Sequence, residues 1–180
     1  MTLTDEQIER WSRQILLPEV GGRGQLRLLA ARVAILGDGP VVTWTADLLR
    51  RAGVTVEAGV DADLLVDLEG GGTRFAQHAL ARGVPLVRGR LGASGGTIDT
   101  LVGRPCGLCA PLDAQPAGAA RDALAAAVTQ ALASLVAAEV LRVLLLGADG
   151  GRRQRIDLDG GRFIGEPLAT AGCGACGVRS

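Results

Sequence analysis

The apolar positions along this chain switch between helical and strand spacing. Residues 4–15 set Ile8, Trp11 and Ile15 on one stripe behind Thr4-x-x-Gln7, a capping box, which predicts an amphipathic helix. Pro18 and Gly21-Gly22 break it, and 25–31 predicts a second short helix. Residues 32–37 (RVAILG) form an unbroken apolar run of the kind buried in parallel sheets. A helix over 41–52 follows, stopped by Gly53. A buried strand follows over 64–68, then a helix over 73–82 closed by Gly83, then a strand over 84–87 with Pro85 near its start. Residues 97–102 alternate as a half-exposed strand would. Residues 122–146 predict a long apolar helix ending at Gly147, and 156–164 a hairpin around Asp159-Gly160-Gly161. This strand–helix alternation predicts an α/β fold with a doubly wound, mostly parallel sheet, flanking helices and a C-terminal antiparallel hairpin.

Two geometric tests refine the picture. Val54-Thr55-Val56 has the look of a second strand, yet the next begins only a few residues later, and parallel neighbours need a crossover of about a dozen residues or more. The expectation is therefore that 54–57 and 64–68 are not both parallel members of one sheet, and that the first helix crosses directly from the Ile35 strand to the Leu65 strand. The long helix has the length of a membrane span, but Gln130, Glu139 and Arg142 interrupt it. It is expected as a buried or dimer-interface helix, with Glu139 and Arg142 on one side.

Composition narrows the function. The 180 residues suit a single domain, 1–180, with N-terminal helices over 1–31, a core over 32–90, and strands, long helix and tail over 91–180. A hydrophobic share of 48% argues against disorder, and a formal net charge of zero gives no basic field for nucleic acid or an anionic membrane. No signal pattern opens the chain, so a cytoplasmic protein is expected. All 19 Lys+Arg positions are Arg, and the chain holds no Lys, Asn or Tyr, so chemistry that needs those side chains must come from elsewhere.

Four cysteines carry the strongest chemical signal: Cys106 and Cys109 in CGLC, Cys173 and Cys176 in CGAC. Two C-x-x-C knuckles can supply four thiolates to a tetrahedral Zn2+, a closed shell with a structural rather than catalytic role. A redox pair or disulfides are the other readings. A shared metal would tie the C-terminal tail to the body of the domain.

The stretch RWSRQILLPEVGGRGQLRLLAARVAILG, followed by DLLVDL, ARGVPLVRG and the two knuckles in order, resembles the ThiF/MoeB/HesA superfamily of adenylyltransferases, relatives of ubiquitin-activating enzymes. The resemblance covers most of the chain. It implies a Rossmann-like core, a structural zinc, a dimer, and ATP- and Mg2+-dependent adenylation of the C-terminal glycine of a ubiquitin-like or sulfur-carrier protein. Arg13 matches the arginine that in family dimers reaches into the partner subunit's ATP site.

Several positions depart from that pattern. In the phosphate loop Gly37 and Gly39 remain, but Pro40 and Val42 stand where the family has glycine, and Asp38 adds a negative charge. The family's long segment between Val60 and Leu64, with its ribose acid, Asn/Arg cluster and Lys, is missing. Asp61 and Glu57 are the available stand-ins for the ribose acid. Gly70 takes the metal-binding Asp position, with Glu69 one residue out of register. The only histidine, His78, reads as an ordinary helix residue, and Ser94 as turn chemistry. The expectation is a family member that has lost adenylation, binds no ATP/Mg2+, and serves as a dimer partner or scaffold, as a homodimer or beside a complete family member. The alternatives are an adenylyltransferase with a rebuilt site and a zinc-stapled module that binds a carrier protein or peptide.

Overall fold

A computed structural model describes residues 2–69, 73–110, 123–147, 151–168 and 173–177. The chain begins with α1 (Asp5–Ile15) and α2 (Gly21–Ala30), then β1 (Arg32–Leu36), α3 (Gly39–Arg51), β2 (Thr55–Glu57), β3 (Leu64–Asp67), α4 (Thr73–Arg82) and β4 (Leu86–Leu91). It continues with β5 (Gly95–Leu101), α5 (Ala123–Leu146), β6 (Arg152–Asp157) and β7 (Arg162–Pro167). Asp122 and Gly70, both named in the sequence reading, lie outside the described residues.

The strands form one sheet in the order β2-β1-β3-β4-β5-β6-β7. Its first half is parallel and its second antiparallel, ending in the β6–β7 hairpin. Alternation along each strand sends side chains to two faces. Val33, Val66, Val87 and Ile98 meet Leu49 of α3 and Leu132, Val136 and Val140 of α5. Ala34, Leu65, Leu86 and Leu101 meet Phe75, Ala76 and Ala79 of α4 on the other face. The result is a three-layer α/β/α sandwich.

Two expectations are corrected. β2 and β3 are both parallel members of the sheet, one on each side of β1, and α3 leads to β2 before the chain reaches β3. Register explains how a short link suffices. Glu57 ends β2 level with Ala34, and Leu64 opens β3 level with Val33. The return is one residue, about 3.3 Å, plus two strand spacings, about 10 Å. Residues 58–63 cover that with Ala62 buried on the α4 face and Asp63 bonded to the Arg32 backbone. The dozen-residue rule assumes that a full strand must be retraced. The second correction is β5, which is buried throughout rather than half-exposed. Its polar positions alternate correctly, but α5 covers one face and a buried ion network occupies the other.

The long apolar helix α5 is part of the core. Val128, Leu132, Val136, Val140 and Val143 are buried, and it packs on α3 and across β4 and β5. Glu139, buried at 3% exposure, accepts from the Thr100 hydroxyl, from Arg142 and from Gln154 Nε2. Burial opposes its charge, but Arg142 and the Thr100 hydroxyl outweigh that and hold it below the usual carboxylate range.

Candidate functional site

The phosphate-loop candidates sit where β1 passes into α3. Gly37 and Gly39 both take positive φ, +128° and +77°. Asp38 is the N-cap of α3 but makes no side-chain capping bond, and Pro40 falls in the first turn, where it removes one backbone donor. This is the topological switch point, since β2 lies to one side of β1 and β3 to the other. At Gly37 there is no room for a side chain. A Cβ on Gly37 would stand 3.1 Å from the Leu68 carbonyl carbon, 3.2 Å from Glu69 N and 3.2 Å from Val42 Cγ2. The Glu69 amide in turn bonds Asp67 Oδ1 at 3.0 Å. At Gly39 a Cβ would meet open space, so only its dihedral calls for glycine.

The stand-ins for the ribose acid are occupied at the surface, Glu57 with Arg32 at 3.7 Å and Asp61 with Arg82 at 2.7 Å. Arg13 is exposed in the last turn of α1. His78 is half-buried on α4, its Nε2 without a partner among the described residues. Ser94 lies in the β4–β5 turn, where its carbonyl accepts from Leu158 N.

The fold brings the four cysteines together across the long gap in sequence. All four Sγ atoms lie within 4.8 Å of one another. The Cys106–Cys109, Cys106–Cys173 and Cys109–Cys176 separations are 3.8, 3.9 and 3.7 Å. Four sulfurs about 2.3 Å from a central Zn2+ would stand about 3.8 Å apart, so the donor set fits that ion in number, chemistry and spacing. A disulfide needs about 2.05 Å, and all four thiols are free. Burial, followed by neighbouring thiols, pushes the Cys109 thiol up to about 12, and burial also raises Cys106; a cation at the centre reverses that bias toward thiolate. The knuckle backbones are preformed: Cys109 and Ala110 N–H donate to the Cys106 carbonyl, and Gly177 N–H to that of Cys173.

The sheet itself carries a set of groups the sequence reading missed. Asp67, Arg88, Asp99, Arg153 and Glu166 are register partners across β3 to β7, an alternating row of charge on one face. Asp99, 1% exposed, accepts from Arg88 Nε and Nη2 at 3.1 and 2.6 Å and from Arg153 Nε and Nη2 at 2.6 and 2.8 Å. The available signal was charge set inside an apolar strand, Arg88 beside Arg90 in PLVRGRL and Asp99 alone in TIDTL.

No family model matches the sequence. Among curated proteins, adenylyltransferase and sulfurtransferase MOCS3 of Mus musculus is 48% identical over 63 residues, 35% of this chain and 14% of its own length. The uba4 protein of Aspergillus terreus, with the same two activities in its name, is 40% identical over 63 residues, 35% of this chain and 13% of its own. The matched region is thus a small part of those relatives. Among solved structures, E. coli MccB with MccA superposes with a TM-score of 0.71 at 15% identity, covering 93% of this chain and 74% of that one. PaaA superposes with a TM-score of 0.69 at 15% identity, covering 93% and 75%. MccB has also been solved with ATP. The chain thus shares its fold with MccB and PaaA over nearly its whole length, and is closely similar to MOCS3 and uba4 over about a third of it.

Proposed function

We propose that this chain keeps the superfamily scaffold, holds one structural zinc through Cys106, Cys109, Cys173 and Cys176, and does not adenylate on its own. It acts as the non-catalytic partner in a dimer with a second copy or with a complete family member. The observation that carries this reading is the N-terminus of α3, where phosphate would have to be received and Asp38 instead places a negative charge at the N-cap. Pro40 withholds a donor there, and the chain has no Lys for the transferred charge. Nucleotidyl transfer rests on positioned charge, so these losses act together.

The partner role draws support from α1. Ile8, Leu16 and Leu17 are 45%, 81% and 51% exposed around Arg13, an apolar surface that suits a protein interface. Arg13 would then reach the partner's ATP site, and a carrier protein or peptide would be the partner's substrate. Zinc-held thiolates favour a reducing compartment such as the cytoplasm.

Three measurements test the reading. Zinc content should be one per chain. Titration with Mg-ATP should give no saturable binding, and pyrophosphate exchange should be absent for the chain alone. Mixed with a complete family member, the chain should co-elute with it and raise its exchange rate, and Arg13→Ala should abolish the gain, roughly 10²-fold if this arginine acts as one transition-state donor. Saturable Mg-ATP binding with exchange by the isolated chain overturns the proposal.

A further inference from the structure

We propose that Arg88 is a positioning residue for the cysteine cluster, holding the Cys106–Cys109 knuckle through its Gly107 carbonyl. This rests on the zinc reading above. Arg88 is 3% exposed on β4, and two of its donors are spent on Asp99. Its third nitrogen, Nη1, donates to the Gly107 carbonyl at 3.3 Å. Gly107 stands inside the CGLC knuckle, directly after Cys106 and two residues before Cys109, whose N–H donates to the Cys106 carbonyl at 3.2 Å. The buried guanidinium thus grips the backbone of the turn that carries both sulfurs.

A charge-assisted hydrogen bond in a buried setting fixes that carbonyl, and with it the direction in which the knuckle presents Cys106 and Cys109. Partners of this kind orient metal ligands and tune their hold on the ion. The peptide is also fixed from behind. A Cβ on Gly107 would stand 2.7 Å from Ala76 Cβ and 2.8 Å from Leu86 Cδ2, so only glycine lets this backbone settle between α4 and β4 within reach of Arg88. Arg153 contributes indirectly. With Nε and Nη2 it holds Asp99, which fixes the direction of the Arg88 fork. A lysine has one ammonium and no fork, so it cannot serve Asp99 and Gly107 with the same geometry.

The experiment compares the zinc-loaded protein with Arg88→Met, Arg88→Lys and the control Leu132→Ala, a core truncation in α5 on the opposite face of the sheet. The readouts are the rate of zinc transfer to a chromogenic chelator and the visible ligand-field bands of the cobalt-substituted protein, both well below each variant's melting temperature. Both Arg88 variants should release zinc about tenfold faster or more and shift the cobalt bands, while Leu132→Ala should melt earlier with wild-type bands and release. If Arg88→Met does not fold, Arg88→Lys decides alone, since its ammonium can still satisfy Asp99. Wild-type release and bands in the folded Arg88 variants, or the same changes in Leu132→Ala, overturn the positioning role and leave the zinc reading standing. A wild-type chain that takes up no zinc removes both.

Discussion

At Gly95 a Cβ would stand 1.9 Å from the Ile156 carbonyl oxygen, backbone that cannot turn aside. Gly95→Ala should therefore push β5 from β6 and cost about 1–3 kcal/mol or more, read as a lower urea midpoint. Gly22 is the contrast. It lies inside α2 without positive φ, and its Cβ would meet only Leu3 Cδ1 at 3.9 Å, so Gly22→Ala should stabilise by about 0.5–1 kcal/mol. Glu139 tests charge in the same way. Its folded pKa lies below the unfolded value, so its contribution is present above the usual range, about 4.3, and is lost as pH falls through the depressed folded value. The melting temperature should drop on acidification through that window, and Glu139→Gln should flatten the drop. A shallower slope should remain from Asp157, which the Gly160 amide and Arg162 also hold low. The four cysteines were legible at this scale because two C-x-x-C pairs announce themselves by spacing. The Arg88–Asp99–Arg153 set was not, since its members meet only through strand pairing.

Among the elements, those with local signals were read well. The Thr4/Gln7 capping box forms with both reciprocal bonds, at 3.2 and 3.0 Å, and α4 occupies the stretch its periodicity outlined. Elements fixed by register were misread. The β2–β3 link is short because β2 stops where β3 begins, a relation no composition reveals. The alternation of β5 carried the right two faces but could not say that both would be covered. α1 buries no residue, and Trp11 Nε1 on the Arg51 carbonyl, 2.9 Å, ties it to the end of α3. Thr4→Ala should thus cost about 1 kcal/mol locally. Hydrogen exchange should quicken in the first turns of α1 while the global denaturation midpoint barely moves. A large global shift would mean that α1 folds as one unit with the core.

For the whole molecule, the decisive connection is between parts distant in sequence. Cys106 and Cys173 are 67 residues apart, and the loop they close contains α5, β6 and β7. A cross-link over a loop of that length restricts the unfolded chain, by about 4 kcal/mol on the loop-entropy relation for disulfides, which a metal clamp follows in kind. The tail knuckle, residues 173–177, brings little apolar surface of its own: of its residues only Cys176 is buried. On the zinc reading proposed above, the ion held by its two sulfurs keeps it in place. The β1, β3, β4 and α5 core owes its cohesion instead to aliphatic burial that no ion mediates. Removing zinc should accordingly have two separable effects. Chelator treatment, with loss of the ion verified by elemental analysis, should lower the denaturation midpoint by up to about 4 kcal/mol. Limited proteolysis should then cleave first on the C-terminal side of β7 while the β1–α5 fragment persists, and Cys176→Ser should reproduce both effects without chelator. A stripped protein that keeps its midpoint and its protease resistance would mean that packing alone seats the tail, and the four thiols would need another explanation.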